Sequence, residues 1–209
     1  MKRKLAVVLL ICISCHMGWA AQDFVWKSGQ NMKVVCDTTE APVVKVALDL
    51  LKRDCRSVLS GNISRSENTG NIYVGTWGES SVLQALAETR QLDVALLNEH
   101  KEAFLLNVLP DGRLIVAGSD KRGTAYGVLE LSRMMGVSPW EWWADAVPEK
   151  KEELRLPAGF RKLDYPQVAY RGIFINDEDW GLTPWSWKHY EPSERKGQIG
   201  PKTHARIFE

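Results

Sequence analysis

Apolar and polar positions change their period several times along this chain, and each change marks an element. Val34 to Cys36 is a short apolar run that reads as a strand. Beyond Pro42, the residues Val44, Leu48, Leu51, Cys55 and Val58 repeat at a 4-3-4-3 spacing, which is one face of a helix. Pro42 suits the start of that helix, where its missing N–H costs nothing. Gly61 to Gly70 is polar and reads as a loop, Asn71 to Thr76 as a strand, and Val82 to Leu92 as a second helix. Phe104 to Leu109 and Arg113 to Ala117 flank Pro110-Asp111-Gly112, a combination that predicts a β-hairpin. Gly118 to Gly123 leads into a third helix, about Thr124 to Met135, with Gly136 placed to end it.

Strands and helices in this order predict an α+β layer domain, an open sheet with helices packed against it. Pro148 to Pro166 is charged and punctuated by proline, as a connection between domains is, and the boundary falls near Tyr165. Three parts are therefore expected: a leader over 1–21, an α/β domain with its linker over 22–165, and the opening of a second domain over 166–209.

The leader has the form of a cleaved secretory signal. Lys2, Arg3 and Lys4 are followed by an apolar run from Leu5 to Ile13 and by small residues near Ala20 and Ala21. The run is too short to span a bilayer as a helix. Cys15 raises the alternative of a lipid anchor, but the aliphatic residue expected three positions before it is missing, so ordinary cleavage is the better reading. A secreted or periplasmic protein follows.

At 209 residues, 44% hydrophobic and 25% charged, the composition is that of an ordinary soluble globular protein. Loss of the three basic residues of the leader takes the net charge from +1 to about −2. Nothing in that balance attracts a nucleic acid. Cys36 and Cys55 remain after cleavage; export permits a disulfide between them, yet Cys55 lies on an apolar helical face, so two buried thiols are an equal expectation. No Cys/His spacing resembles a metal site, and no cofactor motif is present. The Gly118–Gly123 stretch lacks the Gly-Lys-Ser/Thr ending of a phosphate loop, and no Gly-x-Ser-x-Gly elbow occurs.

Candidate chemistry concentrates late. Arg171-Gly172-Ile173-Phe174-Ile175 runs into Asn176-Asp177-Glu178-Asp179-Trp180, so apolar residues deliver three carboxylates and an amide to one point. In a parallel α/β barrel, the C-terminal end of a strand is where sites are built. Glycoside hydrolysis needs one carboxyl group to protonate the leaving oxygen and another to activate water or to attack. Neighbours on an extended chain point to opposite faces, so Asp177 and Glu178 are not expected to be the working pair; at most one is the acid or base. The bland reading of the same run is a solvated acidic loop or a set of calcium ligands. Arg171 shares strand parity with Asp177 but stands about 20 Å away on an extended strand, which makes it structural.

Six of the nine tryptophans follow position 139. Trp140, Trp142 and Trp143 are read as sealing an interface. Trp185 and Trp187, in a loop bounded by Pro184 and Pro192, are equally suited to packing and to a sugar subsite, because a flat ring packs on the C–H face of a pyranose. His189 and His204 have no partner pattern and are read as ordinary histidines.

Four motifs, in order, carry a resemblance: Ser119-Asp120-Lys121-Arg122-Gly123-Thr124-Ala125-Tyr126-Gly127, Trp142-Trp143-Ala144-Asp145, Tyr170 through Trp180, and Ile199-Gly200-Pro201-Lys202-Thr203. Together they resemble glycoside hydrolase family 115, the xylan α-1,2-glucuronidases, over the N-terminal portion only. The resemblance implies an α/β front domain, similar to those of other α-glucuronidases and hexosaminidases, before a (β/α)8 catalytic barrel. Tyr170 to Asn176 would be the first barrel strand and Thr203 onward the first barrel helix. It further implies inverting removal of glucuronic acid or its 4-O-methyl ether from glucuronoxylan, and allows a homodimer of the complete enzyme. On this reading Asp177 is the first candidate for contact with the uronic acid, and Asp177 and Glu178 are the catalytic candidates. Asn176, Asp177, Asp179, Trp180 and Trp185 are the candidate sugar-binding residues, with the rest of the pocket on later strands. A β-hexosaminidase-like glycosidase with the same front domain, and a non-catalytic carbohydrate-binding protein, stand as alternatives.

Overall fold

A computed structural model describes residues 20–89, 91–142, 146–175, 181–192 and 197–208. The chain forms two compact units, one ending at Gln167 and the other spanning Val168–Glu209.

The first unit is built on a six-stranded sheet. Its strands are β2 (Asn31–Cys36), β3 (Asn62–Ser66), β4 (Ile72–Thr76), β5 (Phe104–Val108), β6 (Leu114–Gly118) and β8 (Arg161–Asp164), in the spatial order β3-β2-β4-β6-β5-β8. β3, β2, β4 and β6 run parallel, while β5 is antiparallel to both β6 and β8. β1 (Phe24–Lys27) pairs with β7 (Glu153–Leu156) in a separate two-stranded ribbon, Phe24 opposite Leu156 and Lys27 opposite Glu153.

Alternate strand residues point to opposite faces, and both faces are covered. On one, Val34, Ile72, Val74, Val116 and Leu106 pack against α1 (Pro42–Leu59) and α3 (Lys121–Met134). On the other, Val35, Tyr73, Leu105 and Ile115 meet Leu83 and Leu86 of α2 (Ser81–Glu88), together with Leu92 and Leu97. The helical face read from Val44, Leu51, Cys55 and Val58 is fully buried, with Leu48 at its edge. The α+β reading of an open sheet with packed helices therefore holds.

The local chemistry of the Gly118–Gly123 stretch is that of a helix start. The Asp120 carboxylate accepts the N–H groups of Arg122 and Gly123 at 3.0 and 2.9 Å as the N-cap of α3, which begins a turn earlier than the periodicity predicts. Gly123 is required there, because a Cβ would run into the carbonyl of Ala103. Gly136, at φ +93°, follows the helix as expected.

Three expectations need correction. The polar stretch Gly61–Gly70 contains β3, an edge strand in which Ile63 is the buried residue, so its pattern carries almost no period-2 signal. The segment 148–166, read as a linker, contributes β7 and β8; their partners lie far away in sequence and leave no local trace. The stretch from Tyr170 to Asn176, expected as the first barrel strand, is described up to residue 175, and residues 170–175 form no strand: Tyr170 is 98% and Phe174 89% exposed. A strand is stable only when its N–H and C=O groups are paired with a neighbouring strand; the Arg171 side chain folds back locally, its guanidinium Nη1 donating to the carbonyl of Val168 at 2.6 Å.

In the second unit, α4 (Leu182–Trp185) runs into a π-helical turn (Ser186–Tyr190), and α5 spans Pro201–Phe208. No described helix is long and apolar enough to cross a membrane.

Candidate functional site

Asn176, Asp177, Glu178, Asp179 and Trp180 lie outside the described residues. Trp185 lies among the described residues. Gly181, at φ +93°, turns the chain into α4, where Leu182 and Thr183 are buried and Trp185 half-buried. The helix then widens: the N–H of Glu191 donates to the carbonyl of Ser186 at 2.7 Å, an i→i+5 bond. With that spacing, residues five apart come nearly into line, and Trp185 stacks on Tyr190 with ring centroids 5.0 Å apart and planes 15° from parallel. Lys188 lies over the ring of Trp187 at 5.1 Å.

A buried polar hub fixes this turn to α5. Ser186 and Thr203 are both 0% exposed, and their hydroxyls meet at 2.7 Å. The Thr203 N–H and hydroxyl donate to Oε2 of Glu191 at 3.0 and 3.3 Å. Thr203 has a single hydroxyl proton, so Ser186 must be the donor to Thr203, and the order is Ser186 to Thr203 to Glu191. The N–H of Gly200 completes the hub by donating to the Ser186 hydroxyl at 3.4 Å. Desolvation pushes the Glu191 carboxyl up, but the N–H groups of Thr203 and Lys202 outweigh it and hold the group below the ordinary glutamate range. A Cβ at Gly200 would run into the Glu191 carboxylate, so a larger residue there would push the carboxylate aside. Glu191 thus serves as the anion at the N-terminus of α5.

Sequence reasoning did not identify Ser186, Tyr190, Glu191 or Thr203. The one available signal was the five-residue interval from Trp185 to Tyr190, which belongs to neither regular helical nor strand periodicity.

The first unit has its own place where a site could form. In parallel sheets ligands bind beyond the C-terminal ends of strands, where successive helices leave for opposite faces. Here α1 and α2 follow β2 and β4 onto opposite faces, and the crevice between them is filled by Glu40, 4% exposed. Its carboxylate accepts the Thr76 N–H at 3.0 Å, the Thr76 hydroxyl at 2.9 Å and the Ala41 N–H at 3.1 Å. Thr124 joins from α3 at 2.8 Å from the Thr76 hydroxyl.

Cys36 and Cys55 are buried free thiols. Among the described residues, no group of three or more His, Cys, Asp or Glu side chains could hold a metal ion. Trp140 is 43% exposed and Trp142 half-buried, while Trp143 lies outside the described residues. His189 and His204 are both exposed.

Comparison with known proteins adds the wider context. Residues 163–209 match the model of glycosyl hydrolase family 115. A search of curated proteins returned no match. Among solved structures, BtGH115A is described as a family GH115 4-O-methyl-α-glucuronidase with specificity for decorated arabinogalactans. It is 58% identical to this chain, with a TM-score of 0.77 over 88% of this chain and 24% of its own. CpGH84D matches at 16% identity and a TM-score of 0.50, over 75% of this chain and 25% of its own, which is a likeness of fold. The chain thus spans about a quarter of the length of these structures. On the family match and the 58% identity, the chain belongs to glycosyl hydrolase family 115, as a stretch consistent with the N-terminal portion of such a protein.

Proposed function

We propose that this chain is the front portion of a secreted glycoside hydrolase of the α-glucuronidase type. The complete protein removes glucuronic acid or its 4-O-methyl ether from side branches of a polysaccharide by inverting hydrolysis. The observation that carries this reading is the 58% identity, over 88% of the chain, to a protein described as a 4-O-methyl-α-glucuronidase. Inversion calls for an acid and a base about 6.5–9.5 Å apart, leaving room for the attacking water.

In this reading the α/β unit is the non-catalytic front domain over 22–165, in which Glu40 is bonded to Thr76 at the end of β4. The segment 166–209 opens the catalytic barrel, and the acidic run stands at its sugar-binding end. Asp177 contacts the uronic acid; Asp177 or Glu178 is the catalytic candidate within the chain; Asn176, Asp179, Trp180 and Trp185 hold the sugar. The remaining catalytic groups come from later strands, so these 209 residues alone release no sugar. The leader over 1–21 exports the protein.

The polysaccharide has two readings. Family resemblance favours glucuronoxylan, whereas the specificity described for the 58% identical relative favours decorated arabinogalactan. Incubating the complete protein with each polymer and analysing the released sugar decides between them. Free (4-O-methyl-)glucuronic acid of inverted anomeric configuration is the expected product. Release of N-acetylhexosamine, or of no sugar from any glucuronylated polymer, overturns the α-glucuronidase reading.

A further inference from the structure

Among the described residues, Gln22 is the first whose backbone is bonded elsewhere in the fold: its N–H donates to the carbonyl of Pro110, in the turn of the β5–β6 hairpin, at 3.0 Å. Beside it, the Asp23 carboxylate accepts the Ala158 N–H at 2.8 Å and pairs with Arg155 at 2.9 Å. A Cβ at Gly112 would run into the Asp23 carbonyl, so the hairpin turn is shaped around this part of the chain. Phe24, 2% exposed, then opens β1 opposite Leu156. Ala20 and Ala21, just ahead of these contacts, are exposed. The folded unit claims the chain from Gln22 onward.

We propose that the leader is cut between Ala20 and Ala21, so that the mature protein starts at Ala21. This rests on the export reading above. A leader peptidase reads its substrate as an extended chain, in which alternate residues point the same way. The cut therefore needs small side chains at the last and the third-last residues before it. Gly18 and Ala20 meet that need for a cut after Ala20, whereas a cut after Ala21 would place the bulky Trp19 where a small side chain is required. The register also decides the chemistry of the new end. With Ala21 in front, the Gln22 nitrogen remains an amide and keeps its one N–H for Pro110. Were Gln22 the terminus, its free amine could attack its own side-chain Cδ. A ring C–N bond would then form as the side-chain amide C–N bond breaks, and ammonia would leave with the amine's proton. One exposed alanine separates the cut bond from the first bonded residue.

The test is production of the full chain with its own leader in a secreting bacterial host, followed by N-terminal sequencing and intact mass of the purified protein. A start at Ala21, with no loss of ammonia, is expected. Trp19→Ala makes both registers small and should add a second species that lacks Ala21 and starts at Gln22. Ala20→Trp should block the cut at this bond. A wild-type start at Gln22 or at Cys15, or an Ala20→Trp protein still cut at the same bond, overturns the assignment and leaves export standing. A wild-type protein that keeps its whole leader overturns the assignment and the export reading together. None of these results touches the hydrolase reading, which stands or falls on sugar release by the complete protein.

Discussion

Glu40 and Thr76 are joined twice across 36 positions of chain: one carboxylate takes both the backbone N–H and the hydroxyl of one threonine, at 3.0 and 2.9 Å. Thr76 is the last residue of β4 and 1% exposed, so its N–H has no access to water. The pair closes the sheet-end crevice from within.

Truncation of Glu40 should therefore cost more than a single hydrogen bond. Glu40→Ala leaves the buried Thr76 N–H without its acceptor, while the Thr76 hydroxyl can turn to Thr124, and is expected to destabilise the first unit by about 2 kcal/mol, against about 1 kcal/mol for Glu40→Gln, which keeps an acceptor oxygen. Urea unfolding of the three proteins measures the difference. An alanine variant as stable as wild type would show that Glu40 does not hold the crevice shut.

The two thiols should be silent until the protein unfolds. Burial, joined by the nearby Glu40 charge, pushes Cys36 up to about 11, and burial pushes Cys55 up to about 11 despite the opposing charge of Arg56. Both stay protonated at neutral pH, so a thiol reagent should modify them slowly in the native protein and rapidly in denaturant. Because the folded values lie above the unfolded 9.0, the stability they contribute is complete below pH 9.0 and is lost as pH rises towards about 11. The Cys36→Ala/Cys55→Ala protein should lose less stability over that interval than wild type, measured by chemical denaturation at each pH.

The second unit should respond to acid through Glu191. Its carboxyl is held below the ordinary value of 4.5, so the contribution to folding is present above that pH and lost as pH falls through the depressed value. Helical circular dichroism of the chain should fall on acidification in wild type, and Glu191→Gln should flatten that part of the curve. Curves that coincide would remove Glu191 from the hub.

In the complete protein, Asp177→Asn should lower turnover roughly 100-fold or more, while unfolding temperature stays within about 2 °C of wild type. Steady-state release of uronic acid, with differential scanning calorimetry alongside, checks both halves. Undiminished turnover would take Asp177 out of the catalytic assignment.

How far the pattern alone carries is clearest in α1 and the hairpin. Val44, Leu51, Cys55 and Val58 declare a buried helical face, and Pro110-Asp111-Gly112 declares its turn, because each signal is complete within a few residues. β3 and β8 declared nothing. Ile63 is the buried residue of one, and the other is Arg161-Lys162-Leu163-Asp164, whose strand character comes from lying along β5. Lys162 reaches the Glu130 carboxylate on α3 at 2.6 Å, a contact 32 positions long that no local window contains.

The same division runs through the site. The gathering of Asn176 to Asp179 beside Trp180, and the motifs that resemble family 115, are properties of residue order and are readable without coordinates. The Ser186–Thr203–Glu191 hub and the Trp185–Tyr190 stack are not. They depend on a turn that bonds i to i+5 and on bringing residue 186 to residue 203, and hydroxyls separated by 17 positions find one another only after the chain has folded. Local order dictated α1, the hairpin and where carboxylates cluster; packing dictated β3, β8 and which polar groups are buried together, because those depend on partners distant in sequence.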